Sequence, residues 1–277
     1  MQSPVLSVIL ITRNEAANVG DCLRSVAFAD EWIVVDSGST DDTRAIAEAF
    51  GARVVTTPDW PGFGAQKNRA LAEARGRWVL SIDADERVTE ALAADIRRVV
   101  AADTSAQQGE GAPALGLRSF AGYELSRLSS FCGQWMRHGD WYPDRVLRLF
   151  RRDAGRFSDD RVHERLIVSG PVGRLRGDLL HHTMPTLDSA LDKMNRYSSG
   201  RALDKRQAGG TGGLAAALLH GAWAFFRSYL LRRGVLDGRL GFVLAVYVAE
   251  GTYYRYLKMS LPALHAGSVN QVPNSES

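Results

Sequence analysis

Short apolar runs alternate with helical patterns along the first 83 residues, and this alternation restricts the fold more than any other feature of the chain. The apolar runs are rich in β-branched residues, as is typical of strands buried on both faces of a sheet. They are Leu6 to Thr12, Trp32 to Val35, Arg53 to Thr56 and Trp78 to Ile82. Helical patterns with short connections lie between them, so we predict an α/β fold with a central, mostly parallel sheet and flanking helices.

The rest of the chain divides into regions of different character. From Leu117 onward shorter strand-like pieces, such as Gly122 to Leu128, are expected to complete the sheet. From Thr186 the pattern is helical, and the segment from Asp103 to Gly116 is predicted to be a mobile insertion because it lacks an apolar period. The predicted regions are a catalytic domain at 1–185 (halves at 1–102 and 117–185), a helical region at 186–266 and a disordered tail at 267–277.

Three carboxylates stand at predicted strand ends. Asp36 ends the second strand, and Asp83 and Asp85 directly follow the fourth, so all three fall at the ligand-binding edge of one sheet. Two carboxylates separated by one residue can share Mg²⁺ or Mn²⁺, which in turn holds a nucleotide diphosphate. Asp36 is a candidate acceptor from a base, Asp83 from a ribose hydroxyl, and Asp85 a metal ligand. The open alternative is that Asp36, like Asp41, only shapes a turn or caps a helix.

The composition of the chain indicates its cellular compartment and disfavours one class of binding partner. The chain has two distant cysteines, which fit neither a disulfide framework nor a metal site, and its N-terminus has no signal-peptide pattern. A cytoplasmic catalytic part is therefore expected. The pI is about 9.0, but the basic residues lie beside apolar runs rather than on a polar groove, which disfavours a nucleic-acid partner.

Two apolar stretches near the C-terminus indicate a membrane contact. Leu214 to Leu231 is interrupted by His220 and Arg227 and followed by further arginines, so it is a poor spanning helix. Aromatic and basic residues along it suit a helix lying on an anionic bilayer, and Phe242 to Tyr256 has the same character. The alternative is that the two helices pack on the catalytic domain or on each other.

Three segments, in order and spacing, resemble a family 2 glycosyltransferase: Val8 to Glu15, Val35 to Thr43 and Asp83 to Glu86. The start of the helix at Gly64 to Ala70 is also similar to the family. The resemblance implies a GT-A fold, a nucleotide-diphosphate sugar donor and a divalent metal, Mg²⁺ or Mn²⁺. It makes 1–102 the donor half and 117–185 the acceptor half of the predicted catalytic domain. It assigns seven residues to the donor nucleotide: Thr12, Asn14, Glu15, Asp36, Lys67, Arg69 and Asp83. For Lys67 and Arg69 a solvated helix face is the open alternative.

The resemblance also implies inversion at the anomeric carbon, which requires a carboxylate to deprotonate the acceptor hydroxyl. The acidic cluster from Asp159 to Glu164 contains the candidates. Glu164 lies where the family usually has its base in a Glu-Asp pair, although the pair here reads His163-Glu164, and Asp160 is the second candidate. The alternative is a loop of surface charges.

Two further groups are candidates by analogy. A histidine after the acceptor region completes the metal or diphosphate site in many GT-A enzymes, and by this analogy we assign the role to His181. Neighbouring side chains on a strand face opposite ways, so at most one of His181 and His182 can serve, and a structural role for the pair is the alternative. Arg145 and Arg148 alternate with apolar residues and are candidate contacts to the acceptor or a phosphate. Structural ion pairing is the alternative for both arginines.

The second half of the chain resembles bacterial lipopolysaccharide core β-glucosyltransferases. The similar segments are Arg148 to Phe150, Val162 to Glu164, Leu180 to His181 and Asn195 to Ser198. This resemblance implies UDP-glucose as donor and an inner-core heptose of a lipid-linked saccharide as acceptor, at the inner face of the cytoplasmic membrane. The alternatives are a polyprenyl phosphate or protein acceptor, or a membrane-associated protein that binds nucleotide sugars without catalysis.

Overall fold

The computed structural model describes residues 4–107, 120–158 and 164–261. The strands in these residues are β1 (Leu6–Thr12), β2 (Glu31–Asp36), β3 (Arg53–Thr56), β4 (Trp78–Ser81), β5 (Glu86–Val88), β6 (Gly122–Phe131), β7 (Gln134–Trp135), β8 (Asp144–Arg151), β9 (Gly155–Phe157), β10 (Leu166–Val168) and β11 (Val172–Met184). The α-helices are α1 (Ala16–Ser25), α2 (Thr43–Ala49), α3 (Phe63–Glu73), α4 (Glu90–Gln107), α5 (Leu187–Gln207), α6 (Leu214–Phe226) and α7 (Gly238–Ser260).

Within the described ranges, the main sheet has nine strands in the order β3-β2-β1-β4-β8-β6-β11-β5, with β7 paired to β6. The first four strands are parallel, as the alternating pattern predicts, and the α/β fold is confirmed. β8 then runs antiparallel to β4 and to β6, and β5 antiparallel to β11. The three-residue strand β5 is absent from the sequence prediction because it is too short to show a period.

The core explains why the early strands are apolar on consecutive positions. On β1, Val8 and Leu10 pack in a cluster with residues of α1 and α4, whereas Ile9 packs in a second cluster with Ala70 and Ala74 of the α3 segment. Side chains alternate between the two faces of a strand, so a sheet covered on both faces needs apolar residues at every position. The helices thus sandwich the parallel half of the sheet.

Helix α4 corrects the predicted start of the insertion. The helix continues to Gln107, whereas the sequence analysis ended it at Ala102. Asp103 accepts a 3.0 Å hydrogen bond from the Trp78 indole and pairs with Arg77 at 2.7 Å and Arg151 at 3.3 Å. The C-terminal part of α4 is therefore held in place by polar contacts of Asp103 rather than by a periodic apolar face. Residues 108–116 of the predicted insertion lie outside the described residues.

The chain forms two compact units. The first consists of Met1–Ser129 and Tyr142–Thr183, and the second of Ser130–Trp141 and Met184–Ser277. Residues 130–141 lie within the predicted acceptor half but belong to the second unit, where Phe131 and Met136 share a buried cluster with Leu244 of α7. The predicted disordered tail at 267–277 lies outside the part of the chain that the structure describes.

The second unit exposes much of helix α6. Small residues, Ala217, Gly221 and Ala224, are buried, and the larger apolar side chains stay exposed. The exposed ones on α6 are Leu214, Leu218, Leu219, Trp223 and Phe226. Among the described residues, Leu214–Leu231 is the one helical stretch long and apolar enough to cross a membrane on length and composition alone, and only 22% of it is buried.

Candidate active site

Asp36 organises the turn after β2. Its side chain is fully buried, and Oδ1 accepts hydrogen bonds from the backbone N–H groups of Gly38 (3.1 Å) and Ser39 (2.8 Å). Oδ2 accepts from the Thr12 hydroxyl at 3.1 Å and from the Ser39 hydroxyl. This geometry supports the turn interpretation of Asp36, and a contact from Asp36 or Thr12 to a donor base stays a prediction.

The loops after β1 and β2 are joined by side chains. Asn14 adopts a left-handed backbone conformation with φ 57°, which asparagine tolerates better than most residues, and its Oδ1 accepts from the Thr40 backbone N–H at 2.8 Å. Asp41 accepts from the backbone N–H groups of Ala16 and Thr43, each at 3.1 Å, near the starts of α1 and α2. Asp41 therefore holds the starts of α1 and α2, which agrees with the helix-capping interpretation. Asn14 joins the loop after β1 to the loop after β2.

Glu15 reports the negative charge at this sheet edge. Burial raises the pKa of the Glu15 carboxyl, the hydrogen bond from Asn18 lowers it, and the charges of Asp85 and Asp83 raise it again. The net shift is upward. Glu15 after β1 and the carboxylates after β4 are therefore close enough to interact electrostatically.

A buried arginine neutralises the carboxylates after β4. Nη2 of Arg148 donates to Oδ2 of Asp83 at 2.6 Å and to Oε1 of Glu86 at 2.7 Å. Oε2 of Glu86 accepts from the backbone N–H of Asp83 at 2.9 Å, which closes the tight turn between them. The ion-pairing interpretation of Arg148 is therefore the one that its geometry supports. A phosphate contact by Arg145, exposed on β8, stays a prediction.

The two carboxyls of this cluster have opposite pKa shifts. Burial alone would raise the pKa of Asp83, but the charges of Arg148 and Lys67 outweigh it and hold that pKa far below its usual range. Burial raises the pKa of fully buried Glu86 above its usual value despite the attraction of Arg148. Asp83 is thus a fixed anion, suited to accept a hydrogen bond from a sugar hydroxyl.

Lys67 links the candidate base to this edge. Its Nζ lies 2.9 Å from Oε1 of Glu164 and 3.3 Å from Oδ1 of Asp83, and the side chain is almost completely buried. Glu164 belongs to a segment far from β4 in sequence, so this ion pair brings it to the Asp-rich edge. The second candidate base, Asp160, and His163 lie outside the described residues.

One face of α3 holds the β9–β10 hairpin beside Lys67. The Asn68 side chain donates to the carbonyl of Phe157 and accepts from its N–H, both at 2.9 Å. One turn earlier, a Cβ added at Gly64 would lie 1.9 Å from the carbonyl oxygen of Ser158, so only glycine permits this approach. Sequence reasoning missed Asn68, whose side chain carries no signal for this role beyond its helical spacing from Gly64.

Arg69 faces a different partner. Its guanidinium forms two parallel hydrogen bonds with the Asp59 carboxylate, at 2.9 and 2.8 Å, and a third with Oε1 of Gln66. These hydrogen bonds hold the loop between β3 and α3. In the same region the exposed rings of Trp60 and Phe63 contact each other edge to face. The structure pairs the Arg69 guanidinium with Asp59 and Gln66, and a nucleotide contact by Arg69 stays a prediction.

Asp85 and His181 meet at the end of β4. Strand β11 pairs with β5 so that His181 lies opposite Glu86, and the His182 N–H donates to the carbonyl of Asp85 at 2.9 Å. As a result Nε2 of His181 lies 3.3 Å from Oδ2 of Asp85. Nδ1 of the same ring lies 3.0 Å from the Ser129 hydroxyl, a contact that the sequence analysis did not predict.

The Asp85–His181 pair fits a divalent cation. Two neighbouring ligands of an octahedral ion at roughly 2.1 Å are about 3 Å apart, close to the separation found here. No group of three or more His, Cys, Asp or Glu side chains suited to a metal exists among the described residues. The remaining positions of such an ion would therefore belong to water and to donor phosphate oxygens, as is common for Mg²⁺.

Comparison with known proteins agrees with this arrangement. The model of glycosyl transferase family 2 matches residues 7–104, the segment with Asp36, Lys67, Asp83 and Asp85. Residues 7–104 are a family 2 glycosyltransferase domain. The family 2 domain ends before Arg148, Glu164 and His181. These three residues belong to later strands and loops, which bring them to the sheet edge that the domain forms.

Relatives extend the similarity beyond the family 2 domain. The lipopolysaccharide core biosynthesis glycosyltransferase LpsC of Rhizobium meliloti is 29% identical over 271 residues, which are 93% of this chain and 95% of LpsC. An uncharacterized glycosyltransferase of Rickettsia typhi is 27% identical over 274 residues, 95% of this chain and 89% of that protein. The chain is a glycosyltransferase, so the predicted enzyme class is confirmed, and the family 2 prediction is confirmed over residues 7–104.

A solved structure shares the fold. The mannosyltransferase PcManGT of Pyrobaculum calidifontis, solved with GDP-Man and Mn²⁺, has a TM-score of 0.51 and 16% identity. The similarity covers 94% of this chain and 88% of PcManGT. The predicted GT-A fold is thereby confirmed for the chain that carries the family 2 domain.

Proposed function

We propose that this chain is an inverting, metal-dependent glycosyltransferase that moves a sugar from a nucleoside diphosphate donor to a lipopolysaccharide core acceptor. The observation that carries the proposal is the meeting of Asp83, Asp85 and His181 at the C-terminal edge of the parallel strands, with Glu164 held there by Lys67. This edge is the usual ligand site of an open α/β sheet.

The donor half has groups for a sugar nucleotide. Asp83 is a half-buried anion that would accept a hydrogen bond from the ribose, and Asp85 with His181 would hold Mg²⁺ or Mn²⁺. Bound there, the ion would offset the charge of the leaving diphosphate. The resemblance to core glucosyltransferases favours UDP-glucose, whereas PcManGT was solved with GDP-Man. A donor panel therefore needs both UDP-sugars and GDP-sugars.

Glu164 is the proposed base. The acceptor hydroxyl oxygen forms the new bond to the anomeric carbon, the bond from that carbon to the diphosphate oxygen breaks, and the hydroxyl proton passes to Glu164. The nucleoside diphosphate leaves with the bonding electrons. Lys67 orients the Glu164 carboxylate through the 2.9 Å ion pair. A lipid phosphate acceptor is already ionised and would need no base, so the effect of replacing Glu164 on the transfer rate also distinguishes the two classes of acceptor.

The proposed acceptor is an inner-core heptose of a lipid-linked saccharide, which the LpsC relative supports. Such an acceptor is anchored in the cytoplasmic membrane, and we propose that the second unit contacts the inner face of that membrane. The exposed apolar side chains of α6, with Trp223 at 54% exposure, and the exposed Arg232 and Arg233 after it support this contact.

One experiment tests donor and acceptor together. The purified protein is incubated with UDP-glucose, other UDP-sugars and GDP-mannose, each with truncated lipopolysaccharide acceptors and Mg²⁺ or Mn²⁺, and the products are analysed by mass and linkage. The proposal predicts one added hexose of inverted anomeric configuration on a core heptose. Donor binding without any transfer across the panel would instead support a non-catalytic sugar-nucleotide-binding role.

The base is tested by Glu164→Gln in the same assay. The amide keeps the shape of the side chain but cannot take up the proton, so we expect kcat to fall by a factor of about 10² to 10⁴. Unchanged turnover of Glu164→Gln would remove Glu164 from the chemistry and would favour a polyprenyl phosphate acceptor. Transfer to polyprenyl phosphate in the product analysis would identify that acceptor directly.

A further inference from the structure

Ser129 is buried beside the histidine of the proposed metal site. It lies near the end of β6, a neighbour of β11 in the sheet, and only 7% of the residue is exposed. Its hydroxyl oxygen is 3.0 Å from Nδ1 of His181, while Nε2 of the same ring is 3.3 Å from the Asp85 carboxylate. The imidazole is therefore fixed between one hydroxyl and one carboxylate.

The chemistry of these partners allows two arrangements of the ring protons. A neutral imidazole donates from one nitrogen and accepts at the other, and a serine hydroxyl both donates and accepts. In the first arrangement the Ser129 hydroxyl donates to Nδ1, and Nε2–H donates to Asp85. In the second, Nδ1–H donates to the Ser129 oxygen, which leaves the Nε2 lone pair free. Only the second arrangement can bind a cation through Nε2.

We propose that Ser129 is a positioning residue that holds His181 as the Nδ1–H tautomer when a divalent cation is bound, so that Nε2 and Asp85 bind the cation together. The inference rests on the metal site of the proposed function. A hydroxyl is suited to this role because it rotates between donating and accepting without moving its oxygen. Ring orientation is thus the same with and without the cation.

Burial makes Ser129 difficult to replace. In Ser129→Ala the Nδ1–H group would lose its acceptor at a site where little water can enter, which disfavours the tautomer that binds the cation. Loss of a hydrogen-bond partner behind a ligating histidine typically lowers metal affinity 10- to 100-fold. We expect a loss in this range for Ser129→Ala and a smaller one for Ser129→Thr, which keeps the hydroxyl.

The next residue offers a matched control. Ser130 lies on the same strand and is also 7% exposed, but neighbouring side chains on a strand face opposite ways, so Ser130 is expected on the face opposite to that of Ser129. Ser130→Ala removes the same oxygen from the same strand. We expect this variant to bind Mn²⁺ with the affinity of the unchanged protein.

The test is a titration of the full chain with Mn²⁺ alone, in which free Mn²⁺ is measured by electron paramagnetic resonance. We expect Kd to rise 10- to 100-fold in Ser129→Ala and to stay unchanged in Ser130→Ala, while Asp85→Asn and His181→Ala lose the site. If Ser129→Ala binds like the unchanged protein but Asp85→Asn and His181→Ala do not, the role of Ser129 is wrong and the metal site stands. Unchanged binding in all variants would overturn the metal site as well.

A second measurement needs no variant of Ser129. The ¹⁵N shifts of the His181 ring, assigned by comparison with His181→Gln, distinguish the two tautomers in the unchanged protein. We expect Nε2–H without cation and Nδ1–H at saturating Mg²⁺. An Nε2–H ring that persists at saturating Mg²⁺ would overturn the proposal even if Ser129→Ala failed to fold.

Discussion

Arg148 should contribute to stability by neutralising the fully buried carboxylate of Glu86 and the half-buried one of Asp83, and Arg148→Met removes that charge with little change in volume. Removing one partner of a buried ion pair costs about 3 to 5 kcal/mol. Lys67 remains 3.3 Å from Asp83, and Arg127 remains 3.6 Å from Glu86, so we expect the lower end of that range. The predicted loss in the free energy of unfolding is about 3 kcal/mol at pH 8.

The loss should depend on pH in a defined direction. Burial already raises the pKa of Glu86, and without Arg148 it rises further, so the folded variant takes up a proton more readily than the unfolded chain. The loss relative to the unchanged protein therefore grows between the raised Glu86 pKa of the folded protein and the still higher Glu86 pKa of the folded variant, by as much as about 1.4 kcal/mol per pH unit. We expect a smaller loss at pH 5 than at pH 8.

Urea unfolding followed by circular dichroism at the two pH values measures this. Arg145→Met on the same strand is the control, because Arg145 is exposed and its loss should change stability by no more than about 0.5 kcal/mol. The double variant Arg148→Met/Glu86→Gln should be more stable than Arg148→Met alone, since it removes one uncompensated charge. Equal, pH-independent losses in Arg148→Met and Arg145→Met would refute the reasoning.

Two further predictions concern the hairpin and the membrane. Gly64→Ala places a Cβ 1.9 Å from the Ser158 carbonyl oxygen, so we expect the free energy of unfolding in urea to fall by about 1 to 3 kcal/mol and sugar transfer to slow. At the control position, Gly200, an added Cβ meets nothing within 4 Å, so Gly200→Ala should stabilise helix α5 by up to about 1 kcal/mol. Equal effects would contradict the close approach at Gly64. Leu219→Gln, at a residue 73% exposed on α6, should weaken sedimentation with anionic vesicles several-fold, whereas Leu203→Gln, at a residue 56% exposed on α5, should not. Equal binding of both would contradict a contact through α6.

The parallel half of the fold could be predicted because its signals are local. Each early strand is a continuous apolar run, and each carboxylate of interest ends or follows such a run. The rule that parallel strands end at one edge then places Asp36 near Asp83 without any knowledge of the distant chain. His181 was assigned by analogy, and the structure brings it to Asp85.

The rest of the site depends on pairings that have no local signal. The Arg148–Glu86 contact joins residues 62 positions apart and requires β8 to run antiparallel beside β4. Ser129 contacts His181 only because β6 neighbours β11 in the sheet order. Serine on a strand is common, so its sequence context predicts no partner. Asp36 shows the opposite case, in which a residue predicted at the site is committed to hydrogen bonds within its own turn.

The metal role of Asp85 is the central claim, and one measurement tests it most directly. Asp85→Asn keeps the side-chain shape but removes the charge that would hold the cation beside His181. We expect sugar transfer by this variant to fall at least about 100-fold at saturating Mg²⁺ or Mn²⁺, since several kcal/mol of charge stabilisation would be lost. Full transfer by Asp85→Asn with either added cation would contradict the account.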